Sequence, residues 1–301
     1  MESVIIGVDH GYAAMKTARF VFPTGLVAHD YAPYVSKDVL QYGGKYYVVG
    51  SGRQPIQKDK TRTGDYYLLT LAAVARELSA RNADPCANVH LAAGLPLSDF
   101  GRERDRFRDY LLRNSQPVSF RYENRDYRVA VTEVTLFPQG YAAALTRKEF
   151  SEWRSPDVID IGGRTCDLTQ VRNRLPDAAA NRSLEKGVIR CVDAVAEKIR
   201  SNFGLSAPAA QIQSAMYGLD SGMGEAVENL VRQETKEYVR NLLSSVSESG
   251  MDLRVTPTMF VGGGASLVRR YADNLESFRT PLILEDVCLN AKAYESLAGN
   301  V

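Results

Sequence analysis

The sequence predicts an α/β protein built from two lobes. Three observations support this prediction. The 301 residues exceed what one hydrophobic core usually fills, since single cores stop growing near ~250–300 residues. Short apolar runs of strand character alternate with longer segments of helical spacing in both halves. One strand–turn–strand pattern also occurs twice, about 150 residues apart, which indicates two similar lobes.

Composition excludes several classes of protein. The chain is 45% hydrophobic, as is usual for a globular protein, and its 37 basic and 36 acidic residues nearly cancel. A protein that grips a nucleic-acid backbone neutralises ~6–10 phosphates with clustered Lys and Arg, so this balance argues against direct nucleic-acid binding. The charged stretch 102–113 alternates in sign and predicts a solvated helix face.

Neither a membrane nor a metal framework is expected. No apolar run approaches the ~18–20 residues of a membrane span, and the first residues lack the basic region of a signal peptide. Four cysteines, Cys86, Cys166, Cys191 and Cys288, lie far apart without a Cys-x-x-Cys pair. This spacing argues against a zinc site or a disulfide framework and predicts a cytoplasmic protein.

The first half of the chain predicts a strand-rich lobe. Its predicted elements, in order, are a hairpin of strands 4–9 and 15–22, a hairpin of strands 39–42 and 45–49, a loop over 51–65, a helix over 66–81, a strand over 88–95, a helix over 99–113, a hairpin over 118–131, a strand over 131–137 and a helix that begins at 141. Gly43-Gly44 suits the primed two-residue turn of the second hairpin.

The second half predicts more helix. After a polar break near 151–156, the predicted elements are a hairpin of strands 158–161 and 165–171, helices over 188–203, 206–217 and 223–248, a strand over 253–261, a helix from 265 and a last helix from about 289.

The repeated pattern is the most informative feature. Asp9 ends the first strand, with Gly11 two residues later, and Asp160 ends its counterpart, followed by Gly162. Backbone N–H groups of such a tight turn form a concavity that attracts phosphate oxygens. The Asp repels a phosphate but can hold Mg²⁺ through the waters that this ion retains. Lys16, on the return strand, can offset the charge of a β- or γ-phosphate.

A third glycine-rich segment follows the strand that ends at Val261. Gly262, Gly263 and Gly264 lead into a helix at Ala265, so the backbone there can approach a ligand closely. The simpler interpretation is an ordinary strand–helix turn. Neither Gly-x-Gly-x-x-Gly nor Gly-x-x-x-x-Gly-Lys-Ser/Thr occurs, which argues against a dinucleotide fold and excludes a P-loop NTPase.

The order of these motifs carries a resemblance to a known family. The motifs are Asp9-x-Gly11 with Lys16, Pro138-Gln139-Gly140, Asp160-Ile161-Gly162-Gly163-x-Thr165-x-Asp167 and Val261-Gly262-Gly263-Gly264. This order resembles the actin, sugar-kinase and heat-shock-chaperone ATPase superfamily, and within it the bacterial ParM/StbA plasmid-segregation proteins. The ending Leu289-Asn290-Ala291-Lys292-Ala293-Tyr294 is also similar to that group. The resemblance implies an actin-like fold of two ribonuclease-H-like lobes around a nucleotide cleft.

The resemblance also implies domain boundaries. Residues 1–148 with 287–301 would form domain I, with a smaller insertion subdomain at about 30–65, and residues 149–286 would form domain II.

The same resemblance assigns roles to residues. Asp9 and Asp160 would position Mg²⁺ and its waters. Gln139 would orient the attacking water, because an amide cannot take a proton at neutral pH. The residues that would contact the nucleotide are Asp9, Gly11, Tyr12, Lys16, Gly162, Gly163, Thr165 and Asp167 at the phosphates, Glu185 and Lys186 at the ribose, and Gly262, Gly263 and Gly264 beneath the adenosine.

Several of these positions have simpler interpretations. Glu185 could cap the helix that begins near 188. Glu133, a weaker candidate for water activation, is better interpreted as a solvent-facing strand residue. Cys166 is interpreted as a small residue on a buried strand that faces the core. His10 departs from the family, which usually has a small or amide residue there.

The resemblance implies a slow, assembly-stimulated ATP hydrolase, with GTP as an alternative substrate, that forms a head-to-tail homopolymer. A nucleotide can shift the equilibrium between open and closed lobes only if it makes different contacts with the two forms. Head-to-tail contacts between subunits that do not close into a ring generate a filament. The filament would separate plasmid copies through a DNA-binding adaptor of ParR type, without direct contact to nucleic acid or membrane. Two alternatives remain open. A monomeric enzyme such as a small-metabolite kinase would need a further catalytic carboxylate, and a non-hydrolysing scaffold of cell-division or pilus type would bind nucleotide without releasing phosphate.

Overall fold

A computed structural model describes residues 3–52, 59–113 and 116–300. The chain divides into two compact units: unit 1 is Met1–Thr146 with Val287–Val301, and unit 2 is Arg147–Asp286. Part of the predicted loop 51–65, residues 53–58, lies outside the described residues. Across the described ranges, every helix is too short or too polar to cross a membrane.

Unit 1 contains a sheet with helices on both faces. Its elements are β1 (Ser3–His10), β2 (Ala14–Thr17), β3 (Val21–Pro23), β4 (Leu26–His29), β5 (Val39–Tyr42), β6 (Lys45–Val49), α1 (Asp65–Ala80), β7 (Cys86–Leu95), α2 (Leu97–Leu111), β8 (Val118–Tyr122), β9 (Arg125–Pro138) and α3 (Tyr141–Leu145), with the C-terminal helix described below. The strand order is β3-β2-β1-β7-β9-β8-β5-β6-β4. The parallel strands β1, β7 and β9 form its centre.

Unit 2 contains a smaller sheet and the longest helix. Its elements are α4 (Lys148–Glu152), β10 (Asp157–Ile161), β11 (Cys166–Arg172), β12 (Leu175–Pro176), β13 (Arg182–Leu184), α5 (Val188–Phe203), α6 (Ala209–Met216), α7 (Glu225–Glu248), β14 (Thr258–Val261), α8 (Ala265–Tyr271), a 3₁₀ turn (Leu275–Ser277) and β15 (Pro281–Ile283). The strand order is β12-β11-β10-β14-β15, with β13 also paired to β11. The C-terminal helix α9 (Leu289–Ala298) returns to unit 1.

The two sheets share one core motif, which confirms the internal repeat. In unit 1, β1 pairs antiparallel with β2 and parallel with β7. In unit 2, β10 pairs antiparallel with β11 and parallel with β14. Asp9 lies opposite Lys16 in the first hairpin, and Asp160 lies opposite Asp167 in the second. The α/β prediction is therefore confirmed at the level of strand pairing.

Side-chain alternation along β1 explains how unit 1 is packed. Ile6 and Val8 are buried in the core that includes α1. Gly7, between them, faces α9, because a Cβ on it would lie 2.0 Å from the Ala291 carbonyl oxygen. Successive residues of a strand point to opposite faces, so α1 covers one face of the sheet and α9 covers the other.

Some predicted elements differ from the structure. The return strand 15–22 is two strands, β2 and β3, and the predicted hairpin arm to 131 and strand 131–137 are one strand, β9. The predicted strand 253–261 begins only at Thr258, because residues 252–256 form a turn in which the backbone N–H groups of Val255 and Thr256 donate to the Asp252 carbonyl. The helices predicted at 206 and 223 begin at Ala209 and Glu225, after Pro208 and Gly224.

Candidate functional site

The first hairpin loop joins β1 to β2. Asp9 is 1% exposed, and its Oδ2 lies 3.0 Å from Nζ of Lys16, the residue opposite it in the sheet. The backbone N–H of Gly11 donates to the Asp9 carbonyl, and Thr24 Oγ1 donates to the Gly11 carbonyl at 2.8 Å. Tyr12 is half-buried in the same turn. The structure thus brings Asp9, Gly11, Tyr12 and Lys16 together, and it holds the Asp9 carboxylate against a cation.

His10 lies away from this loop chemistry. Its ring is fully buried on the α1 side of β1, edge-on to Phe107. Thr70 Oγ1 donates to the Tyr66 carbonyl and so accepts from His10 Nε2 at 2.8 Å. Burial first, and then the charge of Lys60, lowers the pKa of His10 to about 3, so the ring is neutral. His10 is therefore a core residue of unit 1.

Gln139 follows the end of β9 at the same sheet edge as Asp9. The parallel strands β1, β7 and β9 all end at this edge, and the backbone N–H of Gln139 donates to the Leu95 carbonyl at 2.8 Å. The next residue, Gly140, has φ of 70°, and its buried N–H donates to Oδ1 of Asn290 at 3.0 Å. Asn290 thereby holds the backbone beside Gln139 from α9. Sequence reasoning missed this contact, which spans 150 residues.

The second hairpin loop joins β10 to β11 and is more acidic than the first. Asp160 is 3% exposed and lies opposite Asp167, where the first hairpin has Lys16. Asp167 accepts hydrogen bonds from Thr165 Oγ1 at 3.0 Å and from Ser183 Oγ at 2.5 Å. The loop carries these two carboxylates against one cation, Arg164, so its net charge is negative. Ser183, on β13, was not predicted from the sequence.

The N-terminal end of α5 closes the second loop. The backbone N–H groups of Val188 and Ile189 donate to the carbonyls of Gly162 and Gly163, at 3.1 and 2.9 Å. Gly187 permits this approach, because a Cβ there would lie 2.4 Å from the Gly163 carbonyl oxygen. Cys166 is fully buried beside the loop, and burial raises the pKa of its thiol, which confirms it as a core residue.

The glycine run after β14 lies against Asp160. Gly262 has φ of +85°, and a Cβ on it would lie 2.3 Å from Asp160 Oδ1. The backbone N–H of Gly264 donates to the Ile161 carbonyl at 2.9 Å, and Tyr217 Oη donates to the Gly263 carbonyl at 3.0 Å. The structure therefore brings the glycine run and the second loop into direct contact.

The remaining candidate residues, Glu185, Lys186 and Glu133, lie outside the turns of the two hairpins. Glu185 is exposed and pairs with Arg164 of the second loop and with Arg190, at 3.5 and 2.7 Å. It makes no helix-capping bond, so the capping interpretation is wrong. Lys186 Nζ is held on α7 by Ser245 Oγ at 2.6 Å. The Glu133 side chain is 63% exposed, as expected for a solvent-facing strand residue.

The two hairpin loops carry different charges. The first loop balances Asp9 with Lys16, whereas the second presents Asp160 and Asp167 together. Within residues 3–52, 59–113 and 116–300, no group of three or more His, Cys, Asp or Glu side chains could hold a metal ion alone. Each loop by itself offers one or two carboxylates, which suits a cation such as Mg²⁺ that keeps its waters and shares a ligand's phosphates.

Two family models match the chain. Residues 7–141 match the actin-like protein N-terminal domain, and residues 158–274 match the C-terminal domain of the MreB-like archaeal actin homologue. Together the two matches cover most of both units. No curated protein sequence matches the chain significantly.

Solved structures show the same fold. The archaeal actin homologue Ta0583 matches at a TM-score of 0.77 and 20% identity, over 99% of this chain and 100% of that chain, and its complex with ADP matches at 0.76 and 21%, over the same shares of both chains. A 15-stranded ParM filament from Clostridium botulinum matches at 0.76 and 16%, over 100% of both chains. Bacillus thuringiensis ParM with ATP matches at 0.71 and 14%, over 99% of this chain and 98% of that chain. At these identities the likeness shows an actin-like fold.

Proposed function

We propose that this chain, which belongs to the actin-like protein family, binds and hydrolyses ATP with Mg²⁺ and assembles into head-to-tail filaments. The observation that carries the proposal is the repeated hairpin, in which a buried strand ends in Asp9 or Asp160 and turns back through glycine. An ADP complex and an ATP complex among the structural neighbours support nucleotide as the ligand.

Each hairpin loop offers contacts that suit Mg–ATP. The backbone N–H groups of Gly11 and Gly162 donate within the protein, so the loop residues that follow them would supply the N–H groups that bind phosphate oxygens, and Lys16 would offset phosphate charge. Lys16 must then divide its donors between Asp9 and the phosphates, which an ammonium with three N–H groups can do. Asp9 and Asp160 would hold the waters of Mg²⁺, and the ion would neutralise charge at the phosphates. Thr165, oriented by Asp167, lies within the second loop.

Gln139 orients the water that attacks the γ-phosphate. Two hydrogen bonds support this role. The Gln139 N–H donates to the Leu95 carbonyl and the Gly140 N–H donates to Asn290, so the backbone is held on both sides of the Gln139 Cα at the end of β9. An amide donates and accepts hydrogen bonds but takes no proton at neutral pH, so Gln139 orients the water and does not act as a general base.

Filament formation would serve plasmid segregation through a DNA-binding adaptor of ParR type. The ParM filament among the structural neighbours supports assembly, and the near neutrality of the chain suits indirect contact with DNA. ATP is the proposed substrate, with GTP as an alternative.

Sedimentation with ATP, GTP, ADP or no nucleotide, together with phosphate release, tests the proposal. We expect Mg–ATP to drive pelleting and slow phosphate release. Gln139→Ala should assemble normally but release phosphate about 10²–10³-fold more slowly, since it loses one positioned group. A monomer that phosphorylates a metabolite, or a pelleting protein that releases no phosphate, would contradict the hydrolytic filament and support one of the alternatives.

A further inference from the structure

Two tyrosine hydroxyls of unit 2 donate to backbone carbonyls beside the second hairpin loop. Tyr217, at the end of α6, donates to the Gly263 carbonyl at 3.0 Å. Tyr238, near the middle of α7, donates to the Lys186 carbonyl at 2.8 Å. Both rings pack against the core of unit 2, so each hydroxyl reaches its carbonyl from a position that packing fixes.

The first of these carbonyls belongs to a peptide group that is hydrogen-bonded at both ends. This peptide joins Gly263 to Gly264, and the N–H of Gly264 donates to the carbonyl of Ile161, the last residue of β10, at 2.9 Å. Its carbonyl accepts from Tyr217. A peptide between two glycines can turn over with little resistance, because neither residue has a Cβ. The two hydrogen bonds therefore select its orientation.

The second carbonyl belongs to a peptide group that is held in the same way. This peptide joins Lys186 to Gly187, and the N–H of Gly187 donates to the Arg164 carbonyl in the second hairpin loop at 2.8 Å. Its carbonyl accepts from Tyr238. Each peptide group is thus attached through its N–H to the second hairpin and through its C=O to a tyrosine of a neighbouring helix.

Both hydroxyls keep their protons at neutral pH. Burial raises the pKa of Tyr217 to about 12, and burial also raises the pKa of Tyr238. A protonated phenol has one hydrogen to donate, and in both tyrosines it goes to the backbone carbonyl. Replacement of either tyrosine by phenylalanine would remove this bond and keep the ring in its packing site.

We propose that Tyr217 and Tyr238 are positioning residues for the nucleoside part of the bound nucleotide. The inference rests on the proposed function, with the glycine run beneath the adenosine and Lys186 beside the ribose. Each hydroxyl acts through the peptide group that it orients, and not by contact with the ligand. The nucleoside then meets two segments whose backbone is already ordered, which lowers the cost of binding.

Three phenylalanine variants test the proposal. Tyr217→Phe and Tyr238→Phe are compared with Tyr110→Phe, which removes a hydroxyl that donates to the Thr63 carbonyl at 2.9 Å in unit 1. Each variant loses one partly buried bond from a tyrosine to a backbone carbonyl, so thermal unfolding should show a similar loss of stability in all three. Titration calorimetry below the protein concentration at which assembly begins measures binding of Mg–ATP and of Mg–ADP.

We expect Tyr217→Phe and Tyr238→Phe each to weaken binding of Mg–ATP about 3–10-fold, the scale of one lost hydrogen bond. Binding of Mg–ADP should weaken by the same factor, because the two nucleotides share the nucleoside and differ only in the γ-phosphate. Phosphate release at saturating ATP should stay within twofold of the wild type. Tyr110→Phe should bind both nucleotides like the wild type.

Different outcomes overturn different claims. If the two variants bind both nucleotides as tightly as the wild type, or if binding of ATP alone is weakened, the hydroxyls do not position the nucleoside and the proposed function stands. If Tyr110→Phe weakens binding equally, the effect is a general loss of stability and the inference is wrong. If the wild type binds neither nucleotide, the proposed function fails and this inference fails with it.

Discussion

Replacement of Gly262 by alanine should disrupt the contact between the glycine run and Asp160. Gly262 has φ of +85°, a region that costs an L residue about 1–2 kcal/mol. The new Cβ would lie 2.3 Å from Asp160 Oδ1 and 2.7 Å from the Ile161 carbonyl oxygen, so β10 or β14 must shift, and overpacking of this kind costs about 1–3 kcal/mol. We expect Gly262→Ala to lower the free energy of unfolding of unit 2 by about 2–5 kcal/mol.

Gly263 provides the matched control. It lacks a positive φ, and a Cβ on it would meet no atom within 4 Å. Urea unfolding can be followed through Trp153, the one tryptophan of the chain, which lies in unit 2 with both glycines. Gly263→Ala should leave the unfolding midpoint unchanged, because it adds neither strain nor a clash. Equal midpoints for the two variants would refute the reasoning, since only Gly262 is in a strained and crowded position.

Two further changes test buried groups. Burial raises the pKa of Asp157 to about 6, and Arg172 only partly offsets this effect. Between about pH 4 and about pH 6 the folded state therefore holds a proton that the unfolded state has lost. The free energy of unfolding accordingly falls as the pH rises through this range. Asp157→Asn should abolish this loss of about 3 kcal/mol, measured by unfolding at pH 4 and pH 7, and an unchanged pH profile would contradict it. Asn290→Ala should leave the Gly140 N–H buried without its acceptor and lower the free energy of unfolding by about 1–3 kcal/mol. The variant should also release phosphate more slowly, because the backbone beside Gln139 is no longer held in place. Normal phosphate release would contradict that positioning role of Asn290.

Local signals predicted much of the fold. The helix 188–203 was predicted with its observed ends, because Val188, Val192, Val195 and Ile199 follow helical spacing and Gly204 ends the helix in the left-handed region. Gly43 and Gly44 both have positive φ, which confirms the primed hairpin turn. The start of β14 could not be predicted, because the turn at Asp252 depends on backbone hydrogen bonds inside an apolar stretch.

The candidate site was predictable only where its residues are close in sequence. The pairing of Asp9 with Lys16 follows from strand spacing, and it was predicted as one loop. The contact of Asn290 with Gly140 joins two ends of unit 1, and the burial of His10 depends on the packing of Thr70 and Phe107. No local pattern encodes such contacts, because they arise when distant elements pack together.

Titration calorimetry with Mg–ATP tests the central claim most directly. The account predicts one binding site per chain in the wild type. Asp160→Ala should weaken binding of Mg–ATP far more than Asp177→Ala, which removes a carboxylate that accepts from the backbone N–H of Ala179, next to β12. Absence of heat with every nucleoside triphosphate, or equal binding by both variants, would contradict a magnesium nucleotide held by these hairpin loops.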